Sequence, residues 1–229
     1  MITILMAIYN GSEFFEESFD SILSQTYNEW ELIIGINGHP YDSDVYKHIE
    51  NIVKQRDCKN TIKIIQLPLE IKGKSNTLNE MIKISNYDYI ALLDVDDIWF
   101  PDKLEKQIPF IQQGYDIVGT KCVYFGELNG IVPDIPIGDF SNFNFLSVNP
   151  VINSSFVGKK ELCHWNDYGI KDYGIEDYDL WLSLWKNNCS FYNCPEILIK
   201  HRIHKSSAFN SKNNSLRIQE LIKKYSKSY

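Results

Sequence analysis

The sequence has no long hydrophobic run and no excess of positive charge, and each absence excludes a class of protein. No apolar stretch approaches the roughly 20 residues that a membrane-spanning helix needs. With 23 Lys and Arg residues against 30 Asp and Glu, the net charge is −7, which argues against a nucleic-acid-binding protein. No fixed-period repeat is present, which excludes repeat arrays. The first residues, Met1–Leu5, lack a basic region and a cleavage site, so we interpret them as a strand and not as a signal peptide.

Cysteine is also scarce. Five cysteines, an odd number, occur in 229 residues, and no two of them have the C-x-x-C spacing. We therefore expect reduced thiols, no zinc site, no disulfide framework and a cytoplasmic location. The contents of 44% hydrophobic and 23% charged residues are ordinary for a globular chain, and the length fits one α/β domain.

Charge is unevenly distributed along the chain. From Lys200 to Tyr229 there are eight Lys and Arg residues and one acid, whereas the preceding part is strongly acidic. This asymmetry indicates an anionic ligand or surface near the end of the sequence. Residues 208–229 form a basic C-terminal segment, in which hydrophobic spacing predicts an amphipathic helix over Ser215–Tyr225. Either its apolar face packs on the domain, or its basic side chains make peripheral contact with an anionic membrane.

Strands and helices alternate in the first half of the chain. Apolar runs of strand length are separated by segments with helical spacing, and Ser12 is placed to cap the first helix. This order predicts a Rossmann-like, mostly parallel sheet flanked by helices, with ligands bound beyond the carboxyl ends of the strands. The predicted strands are Thr3–Ile8, Glu31–Ile36, Ile62–Leu67 and Tyr89–Leu93, and the predicted later helices are Val45–Lys54 and Ser75–Ser85.

The second half is less regular. We expect a helix from Pro101 to about Gln113, a strand over Asp116–Val123, and a helix over Asp177–Lys186. Ser190–His201 is predicted to be strand and turn. Val132–Asn153 shows no clear period, so we expect irregular structure or short strands there.

Polar residues follow the first, second and fourth predicted strands, at Tyr9-Asn10, Asn37-Gly38 and Asp94–Asp97. Because these turns lie at one edge of a parallel sheet, we expect them to converge on one crevice. Crowded carboxylates need a cation or hydrogen-bond donors, and a hard divalent ion such as Mg²⁺ or Mn²⁺ suits them. The alternative is a solvated loop in which Asp97 or Asp102 caps the next helix.

Two motifs in the second half carry further chemistry. Glu176-Asp177 begins an aromatic-rich helix, and a crowded carboxylate there is suited to act as a general base, although first-turn acids are common in helices. In His201-Arg202-Ile203-His204, strand alternation puts Arg202 and His204 on one face, where they suit a diphosphate or a metal–diphosphate. The alternative is polar residues on an edge strand.

Taken in order, these motifs resemble glycosyltransferase family 2, whose members have the GT-A fold. The match runs from Met1 to about Ser207, which implies a GT-A domain over residues 1–207, with a nucleotide-sugar-binding half (1–100) and an acceptor-binding half (101–207). It rests on Ala7-Ile8-Tyr9-Asn10, Ser21–Tyr27, Glu31–Ile34, Leu93–Trp99, Pro101–Leu104, Glu176–Trp181 and Arg202-Ile203-His204.

The resemblance implies a role for each matching residue. Ala7, Tyr9 and Asn37 would contact the nucleoside, Asp94 with the adjacent Val95 would reach the ribose, and Lys74 is a diphosphate candidate. Asp96 would bind a divalent metal, Mn²⁺ or Mg²⁺, with His204 at the metal or diphosphate and Arg202 in support. Asp177 would be the catalytic base, with Glu176 beside it in the acceptor pocket. The implied partners are a nucleotide-sugar donor and a glycan or lipid-linked acceptor, and the implied reaction inverts the anomeric carbon.

Two departures from the family pattern bear on the substrates. Asn37 stands where members usually carry an Asp that accepts the N3–H of the base, and an Asn carbonyl still accepts from uracil or thymine. The Q-x-x-R-W signature of processive synthases is missing, so we expect one sugar per encounter. A non-catalytic nucleotide-sugar binder and a nucleotidyltransferase are alternatives, but Tyr9–Glu13 lacks the basic residue that a nucleotidyltransferase loop usually has. The aromatic residues expected near the acceptor, or else in the core, are Trp165, Tyr168, Tyr173, Tyr178 and Trp181.

Overall fold

The computed structural model describes residues 1–71, 73–167, 174–205, 207 and 214–227. Within these residues, nine strands form one sheet and six α-helices pack on it. The strands are β1 (Ile2–Ile8), β2 (Trp30–Ile36), β3 (Ile62–Gln66), β4 (Tyr89–Leu92), β5 (Ile98–Trp99), β6 (Ile117–Gly126), β7 (Gly138–Asp139), β8 (Val157–Lys159) and β9 (Phe191–Ile203). The helices are α1 (Phe15–Leu23), α2 (Asp44–Lys54), α3 (Lys74–Lys83), α4 (Lys103–Gln112), α5 (Glu176–Lys186) and α6 (Asn214–Ser226).

The sheet order is β3-β2-β1-β4-β8-β6-β9-β5, with β7 paired to β9. The first four strands are parallel, whereas β8 is antiparallel to both β4 and β6. The register pairs Ile8 of β1 with Ile36 of β2, and Leu5 of β1 with Leu92 of β4. The turns that follow β1, β2 and β4 therefore lie at one edge of the sheet, as the sequence predicts.

Successive residues of β1 face opposite sides of the sheet and belong to two separate cores. Ile4 and Met6 lie in a core with the apolar faces of α1, α2 and α4, whereas Leu5 lies in a core with those of α3, α5 and α6. Covering both faces explains why β1 and β2 are almost continuously apolar. Each fully buried aliphatic side chain contributes about 1.5–3 kcal/mol by leaving water. The predicted α/β architecture is confirmed.

The C-terminal helix packs on the domain. Leu221 and Tyr225 are buried in the core that contains α5, and Ile218 and Ile222 pack against its margin. Of the two interpretations of its apolar face, packing is therefore the one observed. None of the helices in the described ranges has the length and hydropathy to cross a membrane.

Several local predictions differ from the structure. Ser12 begins a short 3₁₀ helix and does not cap α1, whose N-cap is Phe14 with no side-chain hydrogen bond. Pro101 lies in the turn before α4, and a second proline, Pro109, lies inside that helix. The last strand is longer than expected because β9 continues to Ile203, with a register irregularity against β6 near Lys121. All five cysteines are free thiols, as expected.

Candidate active site

Asp97 anchors the acidic turn that follows β4. It is buried and accepts hydrogen bonds from the Ser154 hydroxyl (2.5 Å), the His201 Nδ1 (3.0 Å) and the backbone N–H of Arg202 (2.8 Å). Burial alone would raise the pKa of Asp97, but the charge of His201 and these hydrogen bonds outweigh it and lower that pKa. For His201, burial acts in the opposite direction and would lower the pKa, but the charge of Asp97 and its hydrogen bond raise that pKa to about 9. This pair, in which Asp97 is buried and His201 half-buried, connects the end of β9 to the acidic turn.

Asp96 and His204 face each other beside this anchor. The His204 Nε2 lies 2.9 Å from the Asp96 Oδ2. Burial and the charges of Asp97 and Asp94 raise the pKa of Asp96 to about 6, although the hydrogen bond with His204 opposes the shift. A crowded carboxylate of this kind is stabilised by a cation.

These two side chains fit a divalent metal as partial ligands. A carboxylate oxygen and an imidazole nitrogen are donors that Mn²⁺ accepts, and such ions often complete their shell with water and phosphate oxygens. The described part of the chain has no cluster of three or more His, Cys, Asp or Glu side chains arranged to hold a metal without such additional ligands.

Arg202 is held between two aromatic rings. Its guanidinium carbon lies 4.5 Å from the centre of the Phe14 ring and 4.2 Å from that of Phe125. Its Nε donates to the Asp96 carbonyl oxygen (2.8 Å), and a terminal nitrogen lies 2.5 Å from a carboxylate oxygen of Glu17. Arg202 therefore stabilises the acidic turn through its bond to the Asp96 backbone, in addition to carrying positive charge near that turn.

Lys74 connects the acidic turn to α5. Its ammonium nitrogen lies 2.6 Å from a carboxylate oxygen of Asp94 and 3.4 Å from one of Glu176. Lys74 begins α3, directly after Gly73, whose φ of 82° is in the region that favours glycine. Burial lowers the pKa of Lys74, but the charges of Asp94 and Glu176 outweigh it and raise that pKa above its ordinary value. One cation thus joins the two predicted halves of the domain.

The predicted acid pair lies in the first turn of α5. Glu176 is 4% exposed, and its Oε2 is buried without a hydrogen-bond partner among the described residues. Asp177 accepts a hydrogen bond from the Asn149 side chain at 3.1 Å. Burial and the charge of Glu176 raise the pKa of Asp177 to about 7, against the opposing charge of Lys74. A carboxyl group with that pKa exchanges protons near neutral pH, as a general base must.

The remaining predicted residues lie along the ends of β1 and β2. Ala7 is half-buried near the end of β1, and the Tyr9 ring is exposed and covers Gly38 so closely that a side chain there would collide with it. Asn37 is buried, and its amide nitrogen lies 3.5 Å from the Gly73 carbonyl oxygen. Val95 is buried in the core, so its side chain offers no polar contact.

Some residues of the site were not expected from the sequence. Asn149 contacts Asp177, Asn153 donates to Asp94 (3.0 Å), and Ser154 donates to Asp97 and accepts from the Asp94 N–H (3.1 Å). They lie in or just after a segment without periodicity, where the only signal is its richness in Asn.

His201, Arg202 and His204 all contact the acidic turn. Trp165, Tyr178 and Trp181 are buried in the core, while Tyr168 and Tyr173 lie outside the described residues.

Comparisons with known proteins agree on one family. The family model described as "Glycosyl transferase family 2" matches residues 3–149. The O-antigen biosynthesis glycosyltransferase WbnJ of Escherichia coli is 29% identical over 212 residues, which cover 90% of this chain and 81% of WbnJ. WfgD of Escherichia coli, a UDP-Glc:alpha-D-GlcNAc-diphosphoundecaprenol beta-1,3-glucosyltransferase, is 28% identical over 232 residues, which cover 96% and 83%.

Solved structures show the same fold. S. aureus TarS 1-349 in complex with UDP-GlcNAc aligns with 98% of this chain and 66% of its own, with a TM-score of 0.74 and 14% identity. The mannosyltransferase PcManGT from Pyrobaculum calidifontis, in complex with GDP-Man and Mn²⁺, aligns with 90% and 57%, with a TM-score of 0.67 and 16% identity. At these identities the likeness establishes the GT-A fold, and the substrates belong to the proteins compared.

Proposed function

The chain belongs to glycosyltransferase family 2 and is a glycosyltransferase. From this premise we propose that it moves one sugar from a UDP-sugar to a hydroxyl group of a glycan or lipid-linked acceptor, with inversion and with a divalent metal. Residues 1–100 would hold the nucleotide-sugar and residues 101–207 the acceptor. Residues 208–229 would form a separate C-terminal segment that contains the last helix.

The contact of Lys74 with Asp94 and Glu176 carries this proposal. A nucleotide-sugar transferase needs its diphosphate-binding groups within a sugar's reach of its base. Lys74 joins the acidic turn to the helix that bears Asp177, so the groups proposed for the two chemical functions lie close together. Lys74 is also a cation placed to meet the diphosphate when the donor binds.

The residues at the ends of β1 and β2 would recognise the uridine. The exposed Tyr9 ring offers a face to the base, and Ala7 lies beside it on β1. With its amide nitrogen directed at Gly73, Asn37 keeps its carbonyl oxygen as an acceptor for the N3–H of uracil. Cytosine has no hydrogen at N3, so the same oxygen discriminates against it. The donor in the name of WfgD and the ligand in the TarS complex support a UDP-sugar.

The metal would be held by Asp96 and His204. When bound, it would neutralise charge on the diphosphate. Asp94 would reach the ribose, with Val95 contributing backbone only. Arg202 would keep the turn in place through Asp96 and Glu17. The Mn²⁺ complex of PcManGT supports a divalent ion.

Asp177 would perform the proton transfer. As the acceptor hydroxyl attacks the anomeric carbon, the carboxylate of Asp177 removes its proton, while the bond to the diphosphate breaks on the opposite face. A single displacement of this kind inverts the configuration and needs no covalent intermediate. Glu176 would border the acceptor pocket and hold Lys74 through their ion pair, and Lys74 would stabilise the charge that develops on the leaving diphosphate.

Calorimetric titration tests the donor assignment directly. We expect UDP to bind the protein in the presence of Mn²⁺, more weakly after chelation, and more tightly than CDP or GDP. Preference for GDP or CDP would overturn the role of Asn37 in uracil recognition. Absence of binding by all three nucleotides, with Mn²⁺ present, would overturn the proposal as a whole and favour a non-catalytic subunit.

A further inference from the structure

Asp179 is a fully buried carboxylate in the same turn of α5 as the predicted base. It accepts a hydrogen bond from the Tyr225 hydroxyl at 2.8 Å, and the Lys224 ammonium lies 3.0 Å from the same oxygen. Its other oxygen accepts from the Asn166 side chain at 2.5 Å. Because a buried charge is costly unless it is paired and hydrogen-bonded, these contacts together stabilise Asp179 in the first turn of α5.

Two of these partners come from α6. The apolar face of α6 packs beside α5, and Tyr225 and Lys224 bring a hydroxyl group and a positive charge to Asp179. Lys223, the neighbouring residue, is exposed on the same helix. The chain therefore offers two adjacent lysines, of which one contacts Asp179 and the other serves as a matched control.

The third partner of Asp179, Asn166, is connected through its neighbour Trp165 to α3, the helix that begins with Lys74. Asn166 follows Trp165, whose backbone N–H and carbonyl are both bonded to the side chain of Asn79 on α3 (3.0 and 2.7 Å). The same helix begins with Lys74, which contacts Asp94 and Glu176. Asp179 is thus the point at which α6 and the segment held by α3 both fix the first turn of α5.

We propose that α6 is a positioning element for catalysis, with Tyr225 and Lys224 acting through Asp179 to hold the first turn of α5. This inference rests on the proposed function, because it takes Asp177 as the base. A displacement of about 1 Å in a reacting group can cost about a hundredfold in rate. Loss of the α6 contacts should therefore lower turnover while leaving nucleotide binding, which is proposed to use residues 1–100, unchanged.

The test compares five variants with the wild type: Tyr225→Phe with Lys224→Met, Tyr225→Phe alone, Lys224→Met alone, Lys224→Arg, and Lys223→Met. The UDP-sugar and acceptor are those turned over by the wild type in a screen of UDP-glucose and UDP-N-acetylglucosamine with soluble acceptors. We expect kcat of the double variant to fall at least tenfold, with the Kd for UDP within twofold of wild type. Lys223→Met should leave both quantities unchanged, and Lys224→Arg should retain most of the activity.

Wild-type kcat in the folded double variant would overturn the proposal. If the double variant does not fold, Tyr225→Phe decides by the same criterion. Equal losses for Lys223→Met and Lys224→Met, seen only with a lipid-linked acceptor on anionic vesicles, would instead make α6 a membrane-binding surface. If the wild type transfers no sugar, the proposed function fails separately. The inference is then judged by whether amide hydrogen exchange at residues 176–179 is faster in Tyr225→Phe than in Lys223→Met.

Discussion

Replacing Lys74 by Met and Glu176 by Gln should move the acid limb of the pH–rate profile in opposite directions. Asp177 acts as a base only when ionised, so turnover should rise with pH through its pKa, which is about 7. Lys74 favours the ionised form and Glu176 opposes it. Lys74→Met should therefore raise the pH at half-maximal turnover, and Glu176→Gln should lower it.

The size of each shift follows from Coulomb's law. If the charge of Lys74 or Glu176 is taken to lie about 7 Å from that of Asp177, the two interact by about 2.4 kcal/mol at an effective dielectric constant of about 20, which corresponds to about 1.7 pH units. The Lys74 side chain is 27% exposed, so solvent screening reduces the effect of its charge on the pKa of Asp177. We expect midpoints near pH 8 for Lys74→Met and near pH 6 for Glu176→Gln, a displacement of roughly one pH unit each.

The assay is kcat at saturating donor between pH 5 and 9, since Lys74→Met also removes the partner of Asp94 and is expected to weaken donor binding. Lys83→Met, an exposed change on the same helix, serves as the control and should leave the midpoint unchanged. Shifts in the same direction for both variants, or none for either, would refute the assignment of this limb to Asp177.

Three further results are expected. His204→Ala should raise the Mn²⁺ concentration needed for half-maximal activity by at least about tenfold, measured after chelation and readdition, because one ligand is lost. Asp97→Ala should lower the free energy of unfolding in urea by about 3 kcal/mol, the lower end for breaking a buried ion pair, because it leaves the half-buried His201 without its partner. The pKa of His201 is raised in the fold, so its stabilisation is complete below about pH 6.5 and lost as pH rises through about 9. The unfolding free energy should thus fall by up to about 3 kcal/mol across that window, and His201→Gln should remove this decline.

The parallel half of the fold could be predicted from local pattern. The predicted strand Tyr89–Leu93 differs from β4 by one residue, because a continuous apolar run bounded by an acidic turn has few alternatives. Convergence of the turns after β1, β2 and β4 followed from the parallel order alone. The predicted helix boundaries were less accurate, as at Ser12, because caps depend on tertiary contacts.

The hydrogen bonds that orient the site could not be predicted. Asn149 and Ser154 reach Asp177 and Asp97 from irregular chain, where neither period 2 nor period 3.6 marks a residue. The same holds for Arg202, whose charge suggested a diphosphate ligand, although two aromatic rings and Glu17 hold it in the structure. Such partners are distant in sequence, so only the folded chain identifies them.

Turnover of Asp177→Asn decides whether Asp177 is the catalytic base. The substitution keeps the size and the acceptor oxygen of the side chain but removes its capacity to take a proton. We predict that transfer from the UDP-sugar used by the wild type falls by at least a hundredfold, the lower range for loss of a general base, while UDP binding stays within twofold. Transfer by Asp177→Asn at the wild-type rate would contradict the assignment of Asp177 as the base, which would then lie elsewhere.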